Sequence, residues 1–430
     1  MASGNKITEK LEYKTDIITA YDGSEQRIKT RQHPRHTLSY DYSAMEINHA
    51  LYLRGLMRMR QSDTYYVPMW HDVAYLSEDF VANGKLLRID PKYLYCFDEV
   101  DYIEIFRRDA VETQDNSVNL VRRVERYSEQ GISLMQKIDQ NLDMRNTFIY
   151  PLKKCATQPT SGQEYVWSNG SEVAINYEDL LRKASVHIPY KYQHDYVYDL
   201  PQRNRWNIPE QYAGKEVFTK SPEWLSDSSV QLSVDKNVYR LDNETGGFVY
   251  DLINRKSSDT HTFDYVFRKQ FQIHNIKKFF KRVCGKWKSF YMPTWAQDFP
   301  ICRSINANDN AIYYDFSKLR QYYQSNERKK SIIIFTKDWH TYIFDIMAYT
   351  YEILEYEDNK RIGKLLLMTE TGVNIDVNNI LMCSYFNLVR LDQDELQLNY
   401  ESNEVATTTM VFKEIDPPVT LISDNTGGGR

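Results

Sequence analysis

The chain has 430 residues, 42% of them hydrophobic and 26% charged, with a formal net charge of -5. That length gives room for two or three domains with ample cores, and the acidic balance argues against a globally basic nucleic-acid binder. No apolar run approaches the roughly 20 residues that a bilayer-crossing helix needs, which predicts no membrane anchor.

From the N-terminus, MASGNKITEK carries no apolar signal core, so a chain made in a cytoplasm is expected. The first alternating segment is HTLSYDY (His36–Tyr42), which fits a half-buried strand. A helical stretch with Ala50, Leu53, Leu56 and Met57 on one stripe follows, then the aromatic strand TYYVPMW (Thr64–Trp70). Pro cannot donate to a sheet ladder, so Pro68 marks a strand end. Further strands are expected at Gly84–Asp90, Tyr102–Arg108 and Asn119–Glu125. Residues 151–235 hold most of the local Pro and read as an irregular connection with short strands and a short helix at Asn176–Ala184. Beyond it come HTFDYVF (His261–Phe267) and a helix striped by Ile276, Phe279, Phe280 and Val283. SFYMPTW (Ser289–Trp295) follows, then strands at Ala311–Phe316, Ser331–Thr336, Thr341–Met347 and Lys364–Met368.

The two halves repeat one another. At an offset of 225 residues, positions 36–70 match 261–295 with seven identities in 35. His36 falls on His261, Tyr40 on Tyr265, Pro68 on Pro293 and Trp70 on Trp295. These eight residues read as one structural corner built twice, with each His making a hydrogen bond at a strand start. The expected architecture is mainly β, with two β-barrel or sandwich modules, each carrying a flanking helix. The modules are placed at 1–150 and 236–430, joined by 151–235.

Three stretches carry a family likeness: Asp22–Tyr42; the helix leading to an aromatic strand and PMWHD or PTWAQD; and Leu388–Ser402 followed by Thr407–Ile415. Together they resemble the distal tail proteins of long-tailed bacteriophages and gene transfer agents. The likeness covers most of both halves and leaves the middle segment unexplained. It implies tail-tube-like modules assembled side by side into a ring, either a trimer with pseudo-six-fold symmetry or a hexamer. Its partners would be the tail tube, hub and fibre proteins, its place the virion tail, and DNA would pass through the channel without sequence specificity. The competing readings are a receptor- or carbohydrate-binding tail appendage, since Tyr and Trp stack on sugars, and a tail-associated hydrolase.

Little in the sequence points to catalysis or a cofactor. No GxSxG, HExxH, P-loop or GxGxxG is present, so no enzyme, cofactor or metal is expected. Trp70-His71-Asp72 could offer cation ligands, but the second copy lacks the His, which favours a polar turn. Five cysteines (Cys96, Cys155, Cys284, Cys302, Cys383) stand singly, which argues against disulfides and structural zinc. The stretch Arg268–Lys288 holds eight Lys and Arg and no acid. Lys277, Lys278, Lys281 and Arg282 form its candidate contact face, for DNA or for an acidic neighbour.

Overall fold

In the computed structural model the described residues are 7–20, 24–44, 51, 55, 64–97, 100–108, 119–128, 130–157, 171–179, 208–223, 231–235, 238–242, 244, 246–252, 258–315, 329–350, 356–357 and 360–416. The protein is mainly β. Among the described residues, 21 strands join one network of antiparallel pairings, and three small two-stranded hairpins stand apart. The alternation seen in sequence is the cause. In Ser258–Phe267 the buried positions include His261, Phe263, Tyr265 and Phe267, one face of a pleated strand. Ser331–Thr336 is apolar without alternation and is buried along its whole length.

The first half contains β1 (Ile7–Glu12), β2 (Thr15–Thr19), β3 (Glu25–Lys29), β4 (Arg35–Ala44), β5 (Thr64–Pro68), β6 (Ala74–Tyr75), β7 (Gly84–Leu87), β8 (Tyr102–Arg107), β9 (Asn119–Ser128), β10 (Gly131–Ile138), β11 (Thr147–Thr157) and β12 (Ser171–Asp179). A long connection includes the short hairpin of β13 (Gln211–Tyr212) and β14 (Lys215–Glu216). The second half contains β15 (Gln231–Asp235), β16 (Val238–Asp242), β17 (Phe248–Leu252), β18 (Ser258–Phe267), helix α1 (Gln270–Val283), β19 (Ser289–Pro293), β20 (Ala311–Asp315), β21 (Ser331–Thr336), β22 (Thr341–Thr350), β23 (Tyr356–Glu357), β24 (Lys360–Leu367), β25 (Ile380–Leu391), β26 (Glu395–Tyr400) and β27 (Ala406–Glu414).

The pairings repeat between the halves. β4 pairs with β1 and β12, as β18 pairs with β15 and β27. The long strand β11 pairs with β8, β5 and β12 in succession, as β25 pairs with β21, β19 and β27. β8, β9, β10 and β7 then follow one another across the sheet, as do β21, β22, β24 and β20. The register agrees as well: Leu11 lies opposite His36, and Leu232 opposite His261. Between β1 and β4 sits the hairpin β2–β3, and between β15 and β18 sits β16–β17, each of five residue pairs. The duplicated unit is therefore longer than the sequence match and begins with a strand and a hairpin.

The units are sandwich-like rather than closed barrels. Among the described residues β7 pairs with no named strand other than β10 and β20 with none other than β24, and residues 300–302 lie along β20 through the bridge of Ile301 to Tyr314. The expected first-copy helix falls largely outside the described residues. α1 buries Ile273, Ile276, Phe279, Phe280 and Val283, the stripe expected from sequence plus one residue. Two other expectations fail. Asn176–Asp179 is the end of strand β12, because its backbone pairs with β4, so no helix starts at Asn176. β11 crosses position 150, and β12 completes the sheet of the first half, so the first unit extends beyond the expected boundary. Residues 208–223 pack on the second half through Ile208, Val217 and Phe218.

Candidate assembly interface

The repeated corner is real in backbone and diverges in side chains. β5 ends at Pro68 and β19 ends at Pro293. Buried Tyr40 reaches back to this corner: its hydroxyl is 3.4 Å from the Pro68 carbonyl, and its ring meets Trp70 edge-on at 5.1 Å. Tyr265 is buried among Phe218, Phe267 and Phe412, and burial raises its phenol well above the ordinary range. Trp295 takes a left-handed backbone (φ 57°) and stacks on Phe335 of β21 at 5.4 Å. The two tryptophans thus anchor different strands.

The halves meet through β1, which pairs with β4 on one side and β26 on the other. Leu11, together with Tyr13 just beyond β1, is buried in the core that α1, β18, β26 and β27 build in the second half. The hairpin β2–β3 is seated on that half too. Arg390 donates to both oxygens of Glu25 at 2.7 and 2.8 Å and pairs with Asp392 at 2.6 Å. Asp394 accepts from the Thr15 amide (2.7 Å), the Thr15 hydroxyl (2.9 Å) and the Lys286 amide (2.9 Å). Lys29 lies 4.6 Å above the ring of Trp287. In return α1 reaches the first half: Gln270 donates to the carbonyls of His71 and Val73, and Phe271 packs on the first core.

At this junction lies a buried charge cluster centred on Glu9. His36 Nε2 stands 2.7 Å from Glu9 Oε1; the Tyr400 hydroxyl donates to Oε2 at 2.6 Å, and Lys277 Nζ lies 2.5 Å from the same oxygen. Lys153 Nζ approaches the other side of His36 at 3.4 Å. Burial alone would raise the Glu9 carboxyl, but the Lys277 ammonium and the hydrogen bond from His36 hold it well below the usual carboxylate range. Burial would likewise lower Lys277, yet Asp72 and Glu9 keep it above its ordinary value. His71 sits 3.6 Å from both Glu9 and Asp72, and among the described residues neither of its ring nitrogens has a hydrogen-bond partner. Burial lowers its pKa to about 4, so it is neutral near pH 7. Removing one member of such a buried pair costs about 3–5 kcal/mol, because the other charge is left uncompensated.

The matching histidine sits in a second cluster. His261 Nε2 is 3.6 Å from Glu414 Oε1, and Lys329 Nζ lies 2.6 Å from Asp259 and 3.7 Å from Glu414. Asn387 donates to the same Glu414 oxygen. Burial would raise Glu414, but His261 and Lys329 hold it below the ordinary value. Asp259, His261 and Glu414 offer ligand atoms within 4.8 Å of one another, a spacing that could suit a metal ion. Lys329 already supplies the cation there, so the cluster reads as a structural ion network.

The basic contact face needs correction. Lys277 is turned into the junction and engaged with Glu9 and Asp72, so it is not part of an exposed DNA-facing surface. Arg282 is exposed but is held by both carboxylate oxygens of Glu216. Lys278 and Lys281 are half-buried on the same helix, and the Lys281 carbonyl accepts from the Tyr13 hydroxyl. An apolar stripe facing inward beside cations that meet acidic neighbours describes α1 well. The arginines of the expected first-copy helix, Arg54, Arg58 and Arg60, lie outside the described residues.

Glu9, Tyr400, Glu414, Lys329 and Arg390 were not singled out from sequence. A signal existed for two of them. In Ile7, Glu9, Leu11 and in Met410, Phe412, Glu414 a carboxylate occupies the inward position of an otherwise apolar alternation. A charge at that position requires a buried partner. No family model and no curated protein sequence matches this chain.

Proposed function

We propose that this chain is a virion structural protein of a phage tail tip, forming a distal-tail or hub-adaptor ring between the tail tube and the baseplate or fibres. The observation that supports this most is the way two like units are joined. One strand, β1, belongs to the sheets of both halves, and the hairpin after it is clasped by the other half. Two sandwich-like units held edge to edge by strand pairing are the repeating element that a ring of similar units needs. The buried cluster around Glu9 fixes the angle between them, which is a positioning role and needs no substrate.

The test is to locate the protein in purified phage particles. Mass spectrometry of virions and an image of the tail tip are expected to place it in a closed ring around the tail axis. A protein absent from particles, or present only on outlying fibres, removes the ring reading. Binding in a glycan array, with the protein at fibre tips, would favour the receptor-binding alternative.

A further inference from the structure

The two halves carry one sheet face in two states. In the second half, Phe290 and Met292 of β19 point into the core with α1, so Tyr291 between them lies on the outer face. The connection covers that face: Ile208, Tyr212 and Val217 pack with Tyr291, Ile333 and Phe386. Val217 also bridges Tyr291 in parallel, and the Phe218 amide donates to the Tyr291 carbonyl at 2.8 Å, so the connection extends the sheet past β19. Beneath it Ile333 and Phe386 are 0% and 1% exposed.

The matched face of the first half is built by β5, β11 and β8. Tyr66 is the repeat counterpart of Tyr291. Leu152 lies opposite Pro68 as Phe386 lies opposite Pro293, so Tyr150, two residues before Leu152, matches Ser384. Glu104 lies opposite Tyr150 and Ile333 opposite Ser384, which sets Glu104 where the second half buries Ile333. Ile103 and Ile105 point into the first core, so Glu104 between them faces outward. On this face Tyr66 is 48% exposed, and Val121, opposite Glu104 on β9, is 51% exposed. Among the described residues nothing bridges the outer edge of β5 as Val217 bridges β19. The Met69 amide donates to the Pro151 carbonyl, and alternation along the antiparallel pair then turns the Tyr66 carbonyl away from β11, toward that edge.

The centre of the first-half face is where its chemistry departs from that of the second. Glu104 Oε2 is buried, and among the described residues it has no hydrogen-bond partner. Burial raises its carboxyl above the ordinary value, and no cation opposes the shift. Tyr150 beside it is pushed up to about 12 by burial, with Tyr75 and Glu104 adding to the effect. On the neighbouring row the rings of Tyr66 and Tyr102 meet at 4.9 Å. A desolvated carboxylate is stabilised by a paired cation, and aromatic faces beside it attract the same cation.

We infer that the outer face of β5, β11 and β8 binds an extended segment of a partner protein, added along the edge of β5 and carrying a Lys or Arg side chain that pairs with Glu104. The segment lies as residues 208–218 lie on the second half. One of its amides donates to the Tyr66 carbonyl, and its cation stands where the second half has an apolar contact on Ile333. Main-chain pairing supplies the affinity and Glu104 the selectivity. The contact requires neither a ring nor a tail, so it stands apart from the function proposed above.

The experiment uses the full chain and a fluorescent synthetic peptide with the sequence of residues 208–219, IPEQYAGKEVFT. Peptide versions carry Lys or Glu in place of Ile208, Tyr212 or Val217, and anisotropy measures their affinities. At least one Lys version is expected to bind saturably and about tenfold more tightly than its Glu counterpart. Glu104→Gln in the protein is expected to abolish that preference, and Glu104→Lys to reverse it, with circular dichroism confirming the fold. Glu104→Gln removes an unpaired buried charge, so it decides alone should Glu104→Lys fail to fold. Amide exchange is expected to slow in β5 when the peptide binds. Slowing in β19 alone means that the peptide has entered the second-half seat, and overturns the inference. So do the absence of saturable binding by every version, equal affinities of Lys and Glu versions, or a preference that persists in Glu104→Gln. Binding of an oligosaccharide panel in place of the peptides, lost in Glu104→Gln, overturns it in favour of a sugar site.

Discussion

His71 is buried without a hydrogen bond to either ring nitrogen, between Glu9 and Asp72. Its folded pKa of about 4 lies below the ordinary 6.5, so the unfolded chain takes up the proton first as pH falls. The stability that depends on neutral His71 is complete above about pH 6.5 and is lost progressively down to about pH 4, by about 3 kcal/mol. Glu9, held below its usual range, adds a loss of the same sign at lower pH, as its carboxylate is protonated. His71→Asn is therefore expected to flatten the dependence of urea stability on pH between 6.5 and 4, and an unchanged slope would show that the sensitivity lies elsewhere. At this scale the sequence was half legible. His36 and His261 were expected to make structural hydrogen bonds at strand starts. His36 is bonded to buried Glu9, whereas His261 stands 3.6 Å from Glu414. Their carboxylate partners were not foreseen, because pairing them needs a strand register that spacing alone does not give.

At the scale of elements, the seat of the first hairpin depends on the turn that follows α1. Gly285 has φ 64°, and a Cβ added there would collide with Asp394 and crowd Tyr13. Only glycine combines that backbone with so close an approach. Gly285→Ala is expected to displace Asp394 from Thr15 and Lys286, destabilising the protein by about 1–3 kcal/mol and raising amide exchange in β2–β3 before it rises in β18. Equal protection in both places would argue against this hinge. Strands with clean alternation or unbroken apolar runs, such as β8, β18, β20 and β21, were readable because burial on one face or both dictates the pattern. β12 was not: YED at its end reads equally well as the start of a helix, and only pairing with β4 decides. The hairpin β2–β3 was invisible for the same reason, since its strands are largely polar and are held by Arg390 and Asp394 far along the chain.

At the scale of the molecule, the two halves share one core. Leu11 and Tyr13 fill the second half, so residues 208–430 alone leave a gap where those side chains belong. That fragment is expected to melt lower than the full chain and to regain stability when co-expressed with a peptide of residues 1–31; equal melting of fragment and full chain would mean that the halves are independent. Duplication was legible from seven matched residues, while the seating of β1 on the second half was not, because that strand carries no repeat signature. The pairing of β1 with β26 also has a consequence in time. Glu9 and Tyr400 are 391 positions apart, so β1 leaves the ribosome long before the strand it pairs with. Until then one edge of β1 lies open, and the charge on Glu9 has neither Lys277 nor Tyr400 beside it. The sheet thus stays incomplete until β26 is made, and the interval before β26 appears is when this chain is most exposed to pairing with the wrong neighbour.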